Sequence, residues 1–339
     1  MPSIRATTLG NELMFDLLIA ARSFGYSSDR AMQALKEIPD LRVDKPSHAI
    51  AFTESEMCDL VPGKDAVVVG TDKVTKTVIA RADRLKVISK HGVGVDNVDV
   101  AAATEAGILV TNLPGFNDSA VADMTFGMIL TLVRGICLAS SQVKNGNWNK
   151  LLAHDVWGKT LGVIGTGNIG QEVIRRARAF DMEVLAYDAL PDEGAAKSAG
   201  YTYTALDELI ANADVITVHV PLTEKTRGLI GEHQIEQMKP TACLVNTSRG
   251  GIVDEGALVA ALKENRIAGA AVDVYETTFP QRQEVYECEN LIVTPHIAAY
   301  TYETLESMDM AVVDAYREIV RGDIPTGVNI LNPEIGALR

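Results

Sequence analysis

Two residues in the C-terminal half have side chains suited to chemistry on a small molecule. Arg249 lies in Val245-Asn-Thr-Ser-Arg-Gly250, directly after a short apolar run, and His296 lies in Thr294-Pro-His-Ile297. A guanidinium can hold an anion through two parallel N–H donors, and an imidazole with a pKa of about 6.5 exchanges protons near neutral pH. Asp273 begins Asp-Val-Tyr-Glu at the end of another apolar run. This combination is typical of a redox site.

A glycine-rich segment upstream predicts the dinucleotide partner of that site. It reads Gly165-Thr-Gly-Asn-Ile-Gly170, between a predicted strand and a predicted helix. Gly165 permits a tight turn, Gly167 lets a pyrophosphate approach the backbone, and Gly170 lets the helix pack closely on the sheet. The N–H groups of the first helical turn, which includes Asn168 and Ile169, and the positive end of the helix dipole would bind the phosphates.

Asp188 ends the next predicted strand, 18 residues after Gly170. An acid at this position hydrogen-bonds the adenosine ribose and repels a 2′-phosphate. Ala189 and Leu190 follow, so no arginine is present there to reverse that preference. The sequence therefore predicts NAD rather than NADP as the cofactor.

Together these motifs resemble the D-isomer-specific 2-hydroxyacid dehydrogenases. The resemblance covers roughly residues 66–330 and is strongest over 160–300. It implies hydride transfer between the nicotinamide and C2 of a D-2-hydroxy acid or 2-keto acid. Arg249 would bind the substrate carboxylate and polarise its carbonyl, and His296 would exchange the proton with the C2 oxygen.

The same resemblance implies the remaining site residues. His91-Gly-Val-Gly-Val-Asp-Asn-Val-Asp99 is similar to the family's substrate loop. In it Val93 and Gly94 would bind the carboxylate through backbone N–H groups, and Lys90 and His91 could select a second anionic group. Asp273 would hold the nicotinamide carboxamide, and His219 either touches a ligand or is a packed strand residue. The other positions implied to line the cofactor, beside Arg249 and His296, are Val220, Pro221, Thr247, Ser248 and Ala298.

One residue of the family pattern is missing. The usual histidine partner is a glutamate 29 positions after the arginine, and Thr278 occupies that position here. Either Glu276 takes the role after a local shift, or Glu284 or Glu287 reaches in, or no acid assists His296. The third case predicts an imidazole closer to its ordinary pKa and a reduction optimum at lower pH.

The missing glutamate leaves two other functions open. One is an NAD(H)-binding regulatory protein that has lost catalysis. The other is a different redox reaction on the same scaffold, such as formate or phosphite oxidation, for which Asn117 is at a compatible position. The retained Arg249 and His296 favour catalysis over binding alone.

Alternating strands and helices predict the elements that position these residues. We expect an α/β protein with two Rossmann-like domains. An NAD-binding domain (105–296) is inserted in a discontinuous, flavodoxin-like substrate domain (1–104 and 297–339), with the active site in a closing cleft between them. The apolar stretch 120–140 predicts one buried helix, and the region near 119–140 a homodimer interface.

Composition limits the class of partner and the compartment. A net charge of −14 argues against nucleic acid and anionic membranes, although a locally positive pocket could still hold an anionic substrate. Cys58, Cys137, Cys243 and Cys288 show no metal-ligand spacing, so we expect no metal and reduced thiols. The N-terminus does not resemble a signal peptide, and no apolar run reaches the ~18 residues of a membrane span. We expect a cytoplasmic protein, and none of the C-terminal regulatory domain of some relatives after Arg339.

Overall fold

The computed structural model describes residues 14–48, 50–276 and 287–336. It divides into two compact units, one formed by the chain up to Phe116 together with the segment from Thr301, and the other by Asn117–Tyr300. The domain borders expected at residues 104 and 296 stay a prediction. They were defined by which ligand each domain binds, and the division into compact units does not show where a ligand binds.

The described elements are numbered in chain order. The strands are β1 Phe15–Ile19, β2 Leu41–Asp44, β3 Ala66–Val69, β4 Val87–Lys90, β5 Leu109–Asn112, β6 Thr160–Ile164, β7 Glu183–Tyr187, β8 Thr202–Tyr203, β9 Val215–Val218, β10 Cys243–Asn246, β11 Gly269–Val272, β12 Leu291–Val293 and β13 Asn329–Ile330. The helices are α1 Arg30–Lys36, α2 Glu54–Leu60, α3 Lys76–Arg81, α4 Val100–Glu105, α5 Asp118–Val133, α6 Ile136–Lys144, α7 Asn168–Ala179, α8 Glu193–Ala199, α9 Leu206–Asn212, α10 Glu232–Gln237, α11 Glu255–Lys263 and α12 Tyr302–Ile319.

The sheet of the first unit has the order β2-β1-β3-β4-β5-β13. Its first five strands are parallel, which is the flavodoxin-like order, and β13 pairs antiparallel with β5. All four residues of β3, Ala66-Val-Val-Val69, are buried, as expected for a parallel strand covered on both faces. The substrate loop predicted at 91–99 directly follows β4, at the carboxyl edge of this sheet.

The sheet of the second unit has the order β8-β7-β6-β9-β10-β11-β12, and all its described pairs are parallel. This is the doubly wound Rossmann order, in which the direction of winding reverses between β6 and β9. Ligands of such sheets bind outside the carboxyl ends of the strands at that reversal. The predicted α/β class with two Rossmann-like domains is confirmed.

The prediction of one buried helix over 120–140 is wrong. The stretch forms α5 and α6, which meet at an angle of 62°. Gly135, with φ of 60°, takes the left-handed conformation that ends a helix. α5 buries seven side chains, whereas α6 buries none. Among the described residues no single helix has the length and apolarity to cross a membrane; α5 and α6 satisfy those two criteria only as a bent pair.

Candidate functional site

The glycine loop lies at the winding reversal of the second unit, between β6 and α7. Gly165 has φ of 98°, and a Cβ there would come within 2.9 Å of the His219 carbonyl group after β9. A Cβ on Gly170 would lie 2.1 Å from the Gly165 carbonyl oxygen. Gly167 is exposed and faces open space, and no side chain caps the helix that begins at Asn168. The first-turn N–H groups of α7 therefore face a space that a phosphate can enter.

These distances give Gly167 and Gly170 different roles: Gly167 leaves space for a pyrophosphate, and Gly170 allows close packing of the backbone. We predict that Gly167→Ala leaves the melting temperature unchanged but lowers NADH affinity by about tenfold or more, because the methyl group occupies the path of the pyrophosphate. Gly170→Ala should cost about 1–3 kcal/mol of folding free energy, because its methyl group overlaps the Gly165 carbonyl. Thermal unfolding and calorimetric titration with NADH measure both; equal destabilisation by the two variants would contradict the assignment.

Asp188 follows β7 and is tied to the glycine loop. Its Oδ2 accepts hydrogen bonds from the Thr166 backbone N–H at 2.7 Å and the Thr166 hydroxyl at 3.1 Å, and Oδ1 accepts from Leu190 N–H at 2.9 Å. Partial burial raises the pKa of this carboxyl, but the hydrogen bonds from Leu190 and Thr166 outweigh it, and the net shift is downward. The carboxylate is therefore ionised at neutral pH, as repulsion of a 2′-phosphate requires.

Arg249 lies in a tight loop after β10. The Asn246 side chain shapes this loop, since its Nδ2 donates to the Arg249 carbonyl at 2.9 Å and its Oδ1 accepts from Ser248 N–H at 3.1 Å. A Cβ on Gly250 would lie 2.0 Å from the Tyr275 carbonyl group, so this loop packs backbone against backbone on the segment after β11. The half-buried Arg249 donates through Nη1 to the Ser248 carbonyl at 2.7 Å.

Asp273 holds the turn that carries His296. The carboxylate is fully buried at the end of β11. Oδ1 accepts from the Thr294 hydroxyl at 2.5 Å and Ile297 N–H at 2.9 Å, and Oδ2 accepts from Ala298 N–H at 2.8 Å. His296 lies inside this clamp, is exposed, and has φ of 56°, in the left-handed region. The loops of Arg249 and His296 thus follow β10 and β12, on either side of β11, at the edge that carries the glycine loop.

The other positions expected to line the cofactor are at the same strand ends. The buried Thr247 hydroxyl contacts the Thr125 hydroxyl at 2.8 Å, and the Ser248 hydroxyl donates to the Val220 carbonyl. The next residue, Pro221, is exposed, and Ala298 is buried within the Asp273 clamp. The His219 ring lies 2.9 Å from the Thr217 hydroxyl, and burial lowers its pKa to about 3, so the ring is neutral at pH 7.

All three alternatives for the partner of His296, including the absence of an assisting acid, stay predictions. Thr278 and Glu284 lie outside the described residues. Glu276 is exposed, and its Oε1 lies 3.3 Å from the position a Cβ on Gly251 would take. Glu287 forms an exposed ion pair with Lys263 at 3.4 Å.

In the first unit, the half-buried segment after β4 has backbone donors without an acceptor in the described part of the chain. The Val93 carbonyl accepts from the Asn112 amide at 2.7 Å, which orients the loop. Within the described residues, the N–H groups of Val93, Gly94 and Val95 donate to no protein acceptor. Consecutive free N–H groups of this kind form a concavity that binds anions.

Lys90 and His91 face the interior instead. Lys90 is 8% exposed, and its ammonium donates to the Gly70 carbonyl and to Asn97 Oδ1 at 2.8 Å. The His91 ring lies between Ser23 Oγ, 2.8 Å from Nδ1, and Asp309 Oδ1, 2.8 Å from Nε2. The structure therefore does not place these two side chains with the free N–H groups of the loop.

Three residues that shape the site escaped sequence reasoning as individuals. Thr166 orients Asp188, Asn246 shapes the Arg249 loop, and Thr294 joins Asp273 to the His296 turn. Each lies within a motif quoted in the sequence analysis, so its place beside a predicted site residue could have indicated its role. Ser23 and Asp309 could not be found that way, because they are 68 and 218 positions from His91.

Comparison with known proteins connects this geometry to one family. The family profile "D-isomer specific 2-hydroxyacid dehydrogenase, NAD binding domain" matches residues 126–298. The D-3-phosphoglycerate dehydrogenase of Methanocaldococcus jannaschii is 41% identical over 91% of this chain, which spans 60% of that relative's length. The glyoxylate reductase of Korarchaeum cryptofilum is 38% identical over 87% of this chain and 89% of its own. Aquifex aeolicus D-lactate dehydrogenase, solved with NAD and lactic acid, superposes with a TM-score of 0.81 at 33% identity, over 91% of this chain and 96% of its own.

Proposed function

Because the chain belongs to the D-isomer-specific 2-hydroxyacid dehydrogenase family, with NAD as its cofactor, we propose that it transfers a hydride between NAD and C2 of a D-2-hydroxy acid or 2-keto acid. One observation carries this proposal most directly. The buried Asp273 carboxylate clamps the turn 294–298, so that His296 is presented at the strand edge that also carries the glycine loop and Arg249.

Each residue then has a defined task. The Arg249 guanidinium binds the carboxylate and carbonyl oxygen of the 2-keto acid, which draws electron density from C2. When bound, NADH would be the source of the hydride that C2 accepts. His296 donates a proton to the oxygen that becomes the hydroxyl, and it accepts that proton in the reverse direction. The free N–H groups of Val93 and Gly94 stabilise the substrate carboxylate.

The geometry around the glycine loop of the second unit supports the binding of NAD there. The open space at Gly167 and the uncapped start of α7 suit a pyrophosphate, with Asn168, Ile169 and Gly170 as donors. Asp188 would accept from the ribose hydroxyls. Val220, Pro221, Thr247, Ser248 and Ala298 would line the dinucleotide, and Asp273 would meet the carboxamide while holding the His296 turn.

Asp188 should decide the choice between the two nicotinamide dinucleotides. We predict that Asp188→Asn raises the Kd for NADH by about tenfold, because a charge-assisted hydrogen bond to the ribose is lost. The ratio of the Kd for NADPH to the Kd for NADH should fall by a similar factor, because the variant no longer repels the 2′-phosphate. Asparagine keeps one carbonyl oxygen as an acceptor for either Thr166 or Leu190, and its NH2 group replaces the other oxygen. Fluorescence titration with both dinucleotides measures the change, with Asp207→Asn, at an exposed position in α9, as the control. An unchanged NADH/NADPH ratio would refute this role.

We further propose a cytoplasmic homodimer. α6 buries no side chain, and the segment after it exposes Trp148 at 84%, Leu152 at 98% and Trp157 at 71%. Exposed apolar groups of this size mark an interaction surface, and a second copy of the chain is the simplest partner. This extends the interface expected near 119–140 to residue 157. Sedimentation of wild type and Leu152→Glu would test it; a monomeric wild type would exclude it.

The direct test of activity is oxidation of NADH, in parallel with NADPH, across glyoxylate, pyruvate, hydroxypyruvate and 3-phosphohydroxypyruvate at several pH values. Turnover with NADH establishes the dehydrogenase, and its pH profile shows whether an acid assists His296. NADH binding without turnover of any acid would favour the regulatory alternative. Turnover of formate or phosphite alone, with NAD, would favour the different redox reaction.

A further inference from the structure

A chain of hydrogen-bonding side chains ends on the Asp188 carboxylate. Gln171 Nε2 lies 2.8 Å from the Tyr201 hydroxyl, which lies 3.2 Å from the Tyr203 hydroxyl. The Tyr203 hydroxyl lies 2.7 Å from the Thr166 hydroxyl, and the Thr166 hydroxyl lies 3.1 Å from Asp188 Oδ2. We propose that Tyr203 is a positioning residue that, through Thr166, fixes this carboxylate for the adenosine ribose and so maintains the preference for NAD over NADP. The inference rests on the role proposed for Asp188 and adds a residue that determines this specificity.

The two ends of the chain decide which group donates in each contact. An ionised carboxylate only accepts, so the Thr166 hydroxyl donates its one proton to Asp188 and can only accept from Tyr203. At the other end, Gln171 Nε2 also donates to the Thr166 carbonyl at 3.1 Å, which fixes the orientation of the amide, since a carbonyl oxygen cannot donate. Gln171 therefore donates to Tyr201. Because the Tyr203 proton points to Thr166, the Tyr201 proton points to Tyr203.

The Tyr203 hydroxyl uses its full hydrogen-bonding capacity in this arrangement. It donates to Thr166 and accepts from Tyr201 and from the Asp192 N–H group at 3.2 Å. Burial and the hydrogen bond to Tyr203 raise the pKa of Tyr201 to about 12, so this hydroxyl keeps its proton at neutral pH. Hydrogen bonds in series polarise one another, so each donor of the chain strengthens the next toward the carboxylate.

The pairing of β8 with β7 brings these side chains together. Tyr203 lies opposite Ala186, which is two positions before Asp188. Tyr201 is 6% exposed, and its ring packs edge-on against that of Tyr203, with centroids 5.3 Å apart. The Thr166 hydroxyl therefore lies between a donor from β8 and an acceptor that follows β7.

The chain bears on the choice of dinucleotide because a carboxylate discriminates between ligands only while it stays in one place. The Thr166 N–H group and hydroxyl hold Oδ2 of Asp188, and Leu190 N–H holds Oδ1. The Tyr203 proton keeps the Thr166 side chain in the rotamer that donates to Asp188. Without that proton the carboxylate moves more freely, which weakens binding of the ribose hydroxyls and lessens repulsion of a 2′-phosphate.

Fluorescence titration of the protein with NADH and with NADPH tests this role. Tyr203→Phe should raise the Kd for NADH by about fivefold and change the Kd for NADPH by less than about twofold, because weaker repulsion of the 2′-phosphate offsets the loss. Thr166→Val removes the hydroxyl but keeps the N–H donor to Asp188, and it should raise the Kd for NADH by about tenfold. Tyr302→Phe, at a tyrosine 76% exposed in α12, is the matched control and should change neither Kd.

The double variant distinguishes a chain from two independent effects. In the Thr166→Val background, Tyr203→Phe should cause no further rise in the Kd for NADH, because its effect reaches Asp188 only through the Thr166 hydroxyl. A further rise of about fivefold there would overturn the inference. So would equal losses of NADH and NADPH affinity in Tyr203→Phe, because a general disturbance of the fold acts on both dinucleotides.

Asp188→Asn, titrated alongside, separates the inference from the role on which it rests. If Asp188→Asn changes the NADH/NADPH ratio and Tyr203→Phe does not, the role of Asp188 stands and the inference is overturned. An unchanged ratio in Asp188→Asn would refute both. Circular dichroism and thermal unfolding show whether each variant is folded. Should Tyr203→Phe not fold, Thr166→Val decides, since an unchanged Kd for NADH in that variant would also overturn the inference.

Discussion

Replacing His296 by asparagine is expected to lower kcat by a factor of about 100 to 10,000, with NADH affinity changed by less than about threefold. The imidazole is the proposed proton donor to the C2 oxygen, and an asparagine amide cannot exchange a proton at neutral pH. Steady-state turnover of the best 2-keto acid and fluorescence titration with NADH measure the two quantities on the same preparation.

Asparagine is the appropriate replacement because of the backbone at this position. His296 has φ of 56°, a conformation that asparagine tolerates and that would strain an alanine. The Asp273 hydrogen bonds to residues 294, 297 and 298 do not involve the imidazole, so the turn should persist. His233→Asn, at an exposed position in α10, controls for loss of a histidine elsewhere. Turnover within a few-fold of wild type would exclude His296 as the proton donor.

Arg249→Lys is expected to lower kcat/KM by a factor of about 100 to 1,000, although it keeps the positive charge. A lysine ammonium cannot place two parallel N–H donors on a carboxylate and a carbonyl oxygen, so polarisation of C2 is lost. The surrounding loop keeps the hydrogen bonds of the Asn246 side chain and the packing of Gly250 against Tyr275 when the hydrogen bond from Arg249 Nη1 to the Ser248 carbonyl is lost. The variant should therefore fold and bind NADH normally.

The control for a general effect of replacing arginine by lysine is Arg175→Lys, on the exposed face of α7. It should retain full activity, because Arg175 pairs only with Glu172 among the ion pairs described there. Arg249→Gln should be at least as impaired as Arg249→Lys, since it removes the charge as well. If Arg249→Lys retained wild-type kcat/KM, a point charge would suffice and the bidentate role would be wrong.

Local patterns predicted the motifs of the second unit that would bind the dinucleotide. The glycine loop lies between a strand and a helix as expected, and Asp188 directly follows β7. Periodicity failed at Gly135, because an apolar stretch does not show where a left-handed glycine ends one helix and begins another. The first 65 residues show weak patterns, and β1 and β2 became evident only from their pairing.

Side-chain direction needed the tertiary structure. The sequence by itself determined the α/β class, the NAD loop and the identities of Arg249 and His296, since these follow from local periodicity and short motifs. It also placed Lys90 and His91 beside the substrate loop, but it could not show that both face inward. That direction depends on Asn97 and Gly70 in one case and on Ser23 and Asp309 in the other, groups that only the folded sheet and α12 bring within hydrogen-bonding distance. Likewise, the clamp of Asp273 on the His296 turn exists because adjacent parallel strands end side by side, a relation between residues about twenty positions apart that no linear spacing encodes.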